Sequence, residues 1–260
     1  MDLGLQNKVI LVTGGARGIG RGIVEVLAGE GAIPVLVDRA AAESETVVLA
    51  IHAAGGQAFA LTAELTRTEE CRNAVAAALA HFGRIEGLVN NAGINDGVGL
   101  ESGDSERFLA SLRKNLLHYY EMAHFALPYL KQTQGPIVNI SSKVAETGQG
   151  GTSAYAAANG GRNALTREWA VELAPHGIRV NAVIVAECWT PMYAGWLQSL
   201  PDPEAARHRI EAKVPFEKRM TMCEEIANMV AFLLSPRSSH TTGQLIHVDG
   251  GYVHLDRAIT

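Results

Sequence analysis

The first stretch able to do chemistry is Thr13-Gly14-Gly15-Ala16-Arg17-Gly18-Ile19-Gly20, set directly after an apolar run and ahead of a helical pattern. Glycines at this spacing allow a tight turn and let the main chain approach a large anion. The helix that follows points free N–H groups and its positive dipole end at that anion, which suits a pyrophosphate. A glycine-rich loop alone is a weak signal. Here the strand before it, the helix after it and an acid at Asp38 agree on a dinucleotide site. Asp38 ends the second apolar run, where a carboxylate binds the adenosine ribose hydroxyls and repels a 2′-phosphate. That predicts NAD. Arg17 and Arg39 pull toward NADP, since either can pair with a 2′-phosphate. The carboxylate carries more weight, so NAD is expected over NADP. Glu64, with Leu65 beside it, follows the third run and is expected near the adenine; a solvated loop acid is the competing reading.

The elements that would hold this loop are short apolar runs alternating with longer helical patterns. Val9–Val12, Ile33–Val37, 57–61, Ile85–Val89, Ile137–Ile140, Val180–Ile184 and Leu245–Val248 read as strands. Most lack polar alternation, as in strands buried on both faces of a parallel sheet. Capping-box patterns at Thr66-Arg67-Thr68-Glu69 and Thr221-Met222-Cys223-Glu224 mark two helix starts. The predicted fold is therefore α/β: a single-domain, Rossmann-like, doubly wound parallel sheet of about seven strands spanning residues 1–260. The least regular stretch is 186–215, with Pro191, Pro201, Pro203 and Pro215. It follows a strand end and carries Trp189, Tyr193 and Trp196, so it reads as a substrate lid.

Composition narrows the function classes. Hydrophobic residues make up 47% of 260, enough for a full globular core. A net charge of −5 without any Lys/Arg run argues against a nucleic-acid partner. No apolar run is long enough to span a bilayer and the N-terminus lacks a signal pattern, so no membrane partner and a cytoplasmic location are expected. Cys71, Cys188 and Cys223 are too dispersed for a disulfide framework or a zinc site, and the histidines form no ligand-spaced motif; no metal is expected.

Taken together, Thr13–Gly20, Asn90-Asn91-Ala92-Gly93, Asn115, Ser142, Tyr155 and Val248-Asp249-Gly250-Gly251 resemble the short-chain dehydrogenase/reductase family over the whole chain. The resemblance implies that Gly14, Gly18, Ile19, Gly20, Asn91, Ala92 and Gly93 position the cofactor. It implies that Ser142 holds the reacting oxygen, Tyr155 is the general acid/base, and Asn115 supports a water in a proton relay. A phenol is a poor base near neutral pH unless a cation favours its anion. The family places that cation, a lysine, four residues after the tyrosine. Here Asn159 stands there. A neutral amide can still bind a ribose hydroxyl, so the expectation is normal NAD binding with slow turnover and an alkaline optimum. Two cations lie close in sequence. Lys143 follows Ser142, but adjacent strand residues point apart. Arg162, seven residues after Tyr155 on the same helical stripe, leans toward the N-terminus and could partly reach the space the lysine vacates; the competing reading, a surface or interface arginine, carries more weight.

A finer resemblance is to the L-fucose dehydrogenases of this family, which oxidise aldoses to lactones. It is carried by 90–97, Ser141-Ser142-Lys143, Thr147-Gly148-Gln149-Gly150, Ala186-Glu187 and His254-Leu255-Asp256-Arg257-Ala258. Asn95, Lys143, Gln149 and Glu187, with Trp189, would suit a polyhydroxy substrate, because each buried hydroxyl needs a partner. The alternatives are a dehydrogenase or reductase for another small polar alcohol or carbonyl, and a cofactor-binding protein with little turnover. The small residues opening the helix from Ser153 permit close helix approach, and the resemblance implies a homodimer or homotetramer there. The tail 254–260 is expected to be ordered near an active site.

Overall fold

The computed structural model describes residues 2–255. Among them, seven parallel strands form one sheet in the order β3-β2-β1-β4-β5-β6-β9. The strands are β1 (Val9–Thr13), β2 (Ile33–Asp38), β3 (Phe59–Thr62), β4 (Gly87–Asn90), β5 (Ile137–Ser142), β6 (Val180–Val185) and β9 (Leu245–Val248). The apolar runs of β1, β2, β4, β5 and β6 are buried because helices cover both faces. Alternate residues face opposite layers. Ile10, Val12, Leu36 and Val138 pack against α1 (Gly18–Gly29), α2 (Ala41–Ala53) and α9 (Cys223–Leu234). Val9, Leu11, Val35 and Val180 pack against α3 (Thr68–Phe82), α5 (His118–Thr133) and α6 (Ser153–Leu173).

Apart from β9, which ends at Val248 as expected, the strands of this sheet run one or two residues further toward their C-terminal ends than the apolar runs suggested, taking in Thr13, Asp38, Thr62, Asn90, Ser142 and Val185. Ladder pairing extends past hydrophobicity there, because polar residues at strand ends are held by neighbouring strands: Asp38 pairs Thr62, Asn90 pairs Asn139 and Ser142 pairs Val185. Strand order reverses between β1 and β4, each of which neighbours the other, and ligands gather above such a switch point. The loops after β1 and β4 carry the glycine-rich turn and Asn91–Gly93.

Two predicted helix starts are corrected. α3 begins at Thr68 without a side-chain cap, because the Thr66 hydroxyl donates to Glu64 instead. α9 begins one residue later than expected. Thr221 is drawn into β8 (Thr221–Met222), which pairs with β7 (Cys188–Trp189), so Glu225 rather than Glu224 accepts from the Met222 N–H. The stretch 186–215 is also more regular than its prolines implied. It holds α7 (Pro191–Gln198) and α8 (Pro203–Glu211), each opening with a proline in its first turn, where the missing N–H costs nothing. Thr190 and Asp202 cap them by accepting from the Tyr193 and Ala205 N–H groups at 3.1 and 3.0 Å. Leu197, Ala206 and Met220 form a small core of their own with Trp189 and Tyr193.

α4 (Ser105–Leu112) passes into α5 through a π-helical turn, Arg113–Leu117, which carries Asn115. The dispersed cysteines meet in part, Cys188 and Cys223 lying 3.9 Å apart at sulfur as free thiols. Of the tail 254–260, only His254 and Leu255 are described; 256–260 lie outside the described residues. Among the described residues no helix is long and apolar enough to cross a membrane.

Candidate active site

The glycine-rich turn is clamped to the β4 loop. Thr13, fully buried, accepts at Oγ1 from the Asn91 and Ala92 N–H groups at 2.9 and 3.1 Å. The Asn91 amide donates to the Thr13 and Gly14 carbonyls. Gly14 takes a φ of +68°, and a Cβ there would meet Ala92 Cα at 2.9 Å. A Cβ at Gly20 would lie 1.9 Å from the Gly14 carbonyl. A Cβ built on Gly18 would lie 3.4 Å from the Thr190 side chain, so the 186–215 stretch comes up to the turn. A cradle that excludes side chains at these positions fits a dinucleotide pyrophosphate.

Asp38 ends β2 and accepts from the Ala16 N–H at 3.1 Å and the Ala40 N–H at 3.0 Å. Both competing arginines are engaged with carboxylates: Arg17 with Glu43, Arg39 with Glu64 at 3.5 Å. Glu64 also accepts from the Thr66 N–H and hydroxyl. Its partial burial works to raise its carboxyl, but the Thr66 and Arg39 hydrogen bonds outweigh this and hold it below the usual range. Leu65 is buried behind it. Ile19 packs against the α1 side of the core.

At the other end of the cleft, β5 delivers Ser142 and the first turn of α6 delivers Tyr155, both half-buried. The π-helical turn and α6 share a buried polar network. Asn115 accepts at Oδ1 from the Ile94 N–H at 2.8 Å and donates to the Ser111 carbonyl. Asn159 is fully buried and turns inward: its Nδ2 donates to the Tyr155 carbonyl at 2.8 Å and its Oδ1 accepts from Arg162 at 3.0 Å. Both polar atoms of the amide expected at the ribose are thus engaged within α6.

Arg162, expected at a surface, is 2% exposed. Its Nε donates to the Asn115 carbonyl at 2.7 Å and its Nη1 to the Ile140 carbonyl at 3.1 Å. Its guanidinium stands 4.2 Å over the Tyr119 ring. The main-chain carbonyl of Asn115 therefore receives a guanidinium N–H. Tyr119 donates to the Ile140 carbonyl at 2.9 Å, and burial pushes its phenol up, so it stays neutral.

A second polar cluster flanks Ser142. Lys143 and Glu187 pair with side chains only 11% and 12% exposed. Tyr193 donates to the other Glu187 oxygen at 2.6 Å; burial and that carboxylate push its phenol up and keep it protonated. The Lys143 ammonium lies 4.0 Å over the Tyr252 ring. Sequence reasoning found Lys143 and Glu187 but missed Tyr193 and Tyr252 as their partners. The remaining substrate candidates are not gathered here. Asn95 is exposed, its Oδ1 accepting from the Gly97 N–H; Gln149 is exposed; and Trp189 stacks under Arg207 at 4.4 Å in the 186–215 core. Among the described residues, the ligand atoms of Glu146, His247 and His254 fall within 4.8 Å of one another; His247 and Glu146 share a 3.0 Å hydrogen bond, and the His254 ring meets that of His247 edge-on at 4.3 Å.

Comparison with known proteins agrees with this arrangement. The family described as Enoyl-(Acyl carrier protein) reductase matches residues 14–253. A 3-oxoacyl-[acyl-carrier-protein] reductase of Thermotoga maritima is 36% identical over 96% of this chain and 99% of its own length. An L-fucose dehydrogenase of Bos taurus is 35% identical over 94% of this chain and 88% of its own. The crystal structure of Cj0485 dehydrogenase has a TM-score of 0.95 at 43% identity, covering 100% of this chain and 99% of that one. Likeness of this extent over nearly the whole chain settles the assignment: the chain belongs to the short-chain dehydrogenase/reductase family, whose members are NAD(P)-dependent oxidoreductases.

Proposed function

We propose that the protein is an NAD-dependent dehydrogenase of a sugar or polyol hydroxyl, oxidising L-fucose or a related aldose to its lactone. The observation that carries this reading is the dry Lys143–Glu187–Tyr193 cluster next to Ser142. Hydroxyls entering such a cleft exchange bonds with groups already desolvated, which an acyl chain cannot do. NAD is supported by Asp38 at the end of β2 and by the carboxylate partners of Arg17 and Arg39. A bound NAD supplies the hydride acceptor. The chain's own part is proton transfer and positioning. Ser142 donates a hydrogen bond to the reacting oxygen, and Tyr155 takes the hydroxyl proton as the carbinol carbon loses hydride. The 186–215 stretch closes over the site as a lid; its contact at Gly18 and its own small core suit a unit moving as one piece.

A homodimer or homotetramer is the expected assembly, supported by the exposed Leu109 and Tyr120 on α4 and α5 and Val171 on α6. The free Cys188 and Cys223 suit a reducing, cytoplasmic setting. The test is an NAD-linked absorbance assay across aldoses, polyols and a 3-oxoacyl thioester, repeated with NADP. Oxidation of an aldose with NAD is the expected result. Turnover of the thioester alone would replace this reading with an acyl reductase.

A further inference from the structure

Arg162 is a charge without a counter-ion. Its partners are two main-chain carbonyls, one amide oxygen and one aromatic face. Among the described residues no carboxylate pairs with it, and its Nη2 has no hydrogen-bond partner. Burying a cation in this way is costly, and a protein that only needed packing would place an apolar residue here. The direction of the orphan nitrogen is informative. A Cβ built on Gly93 would lie 2.8 Å from Nη2 and 3.0 Å from Asn115 Oδ1. The free N–H groups thus lie against the loop after β4, which walls the cleft.

Position 159 completes the argument. Arg162 Nη1 lies 3.0 Å from Asn159 Oδ1, so an ammonium carried at 159 would meet a guanidinium that is already in place. A neutral acceptor is the side chain that suits such a neighbour. Position 159 is thus neutral and a cation stands one turn further along α6, its Nη1 reaching back to Asn159. Arg162 and Tyr155 both lie close enough to the buried Tyr119 phenol to act on it electrostatically.

We propose that Arg162 is the positioning cation of the reaction centre, favouring the Tyr155 phenolate and offering Nη2 to an oxygen held against Gly93, so that Asn159 leaves the site charged rather than disabled. This rests on the reading of Tyr155 as the proton acceptor, not on the choice of sugar.

The decisive experiment needs neither substrate nor cofactor. The tyrosinate absorbance of the full-length protein is followed against pH, and the component that Tyr155→Phe removes is taken as the Tyr155 signal. In Arg162→Gln this component moves up by about one to three pH units; in Arg162→Lys, which keeps the charge, it stays within half of that displacement. An unmoved component in Arg162→Gln overturns the proposal. Arg162→Gln loses three hydrogen bonds, so a second variant guards against failure to fold. Asn159→Lys keeps Arg162, and the proposal expects either no downward movement of the Tyr155 component or a loss of stability that adding Arg162→Gln to the same chain recovers. A downward movement of a full pH unit or more in Asn159→Lys shows that the centre lacked a cation and overturns the proposal. Once a substrate is in hand, the acid limb of the kcat/KM profile follows the same displacements, while the Kd for NAD changes less than threefold in Arg162→Gln.

Discussion

Glu187→Ala tests whether the second cluster is as dry as its geometry indicates. Lys143 and Glu187 are each nearly nine-tenths buried, Tyr193 donates to the carboxylate at 2.6 Å, and the ammonium lies 4.0 Å over the Tyr252 ring. Removing the carboxylate leaves a buried ammonium without its counter-ion, which costs about 3–5 kcal/mol. The Tyr193 hydroxyl loses its acceptor as well, worth about 1 kcal/mol more. For a chain of this length the sum corresponds to a fall in Tm of roughly 10 °C. The double variant Lys143→Met/Glu187→Leu removes both charges and is expected to recover most of that loss, since burying a pair gains little over burying apolar groups. Urea denaturation of the unaltered protein, Lys143→Met, Glu187→Leu and the double variant at equal concentration closes the cycle. In the aldose assay Glu187→Ala is expected to lower kcat/KM by about a hundredfold, an effect of two lost hydrogen bonds, with the NAD Kd unchanged. If Glu187→Ala costs under about 1 kcal/mol, the pair behaves as a solvated surface bridge and the polar-pocket reasoning fails.

Asp38→Ala is expected to narrow the preference for NAD over NADP by at least tenfold, read as paired dissociation constants by calorimetry; tighter NADP binding by the unaltered protein would show that Arg17 or Arg39 governs the choice. Gly20→Ala places a Cβ 1.9 Å from the Gly14 carbonyl, so it should abolish NAD binding by calorimetry, and retained micromolar binding would refute the cradle. Burial, and then the Arg162 charge, hold the His118 imidazole down at about 4 against an ordinary 6.5. The unfolded chain takes up this proton first, so stability is full above pH 6.5 and falls by about 3 kcal/mol as pH drops toward 4. His118→Met should flatten that slope in urea titrations between pH 7 and 4.5, and an unchanged slope would assign it elsewhere.

Much of the cofactor end was legible in the chain because its determinants are local. A glycine loop, a strand before it and a helix after it follow one another in sequence, and parallel strands buried on both faces announce themselves as unbroken apolar runs. Strand ends were less legible, since ladder pairing carries Thr13, Asp38 and Ser142 beyond the apolar stretch. The prolines of 186–215 misled for a physical reason: in the first turn of α7 and α8 a proline starts a helix, and composition alone cannot tell a start from a break.

What the sequence determined by itself was the fold class, the dinucleotide cradle, the acid at Asp38 and the missing lysine at 159. Those follow from residue type and short spacing. The tertiary structure alone decided where the charges went. Arg162 is buried because α6 lies across β5 and the π-helical turn, bringing the Ile140 and Asn115 carbonyls to its guanidinium from 22 and 47 residues away. Lys143 finds Glu187 from 44 residues away in the same manner. A charged side chain reads as a surface residue in a sequence because water is its default partner. Only the packing of distant elements can supply enough fixed dipoles and opposite charges to replace that water.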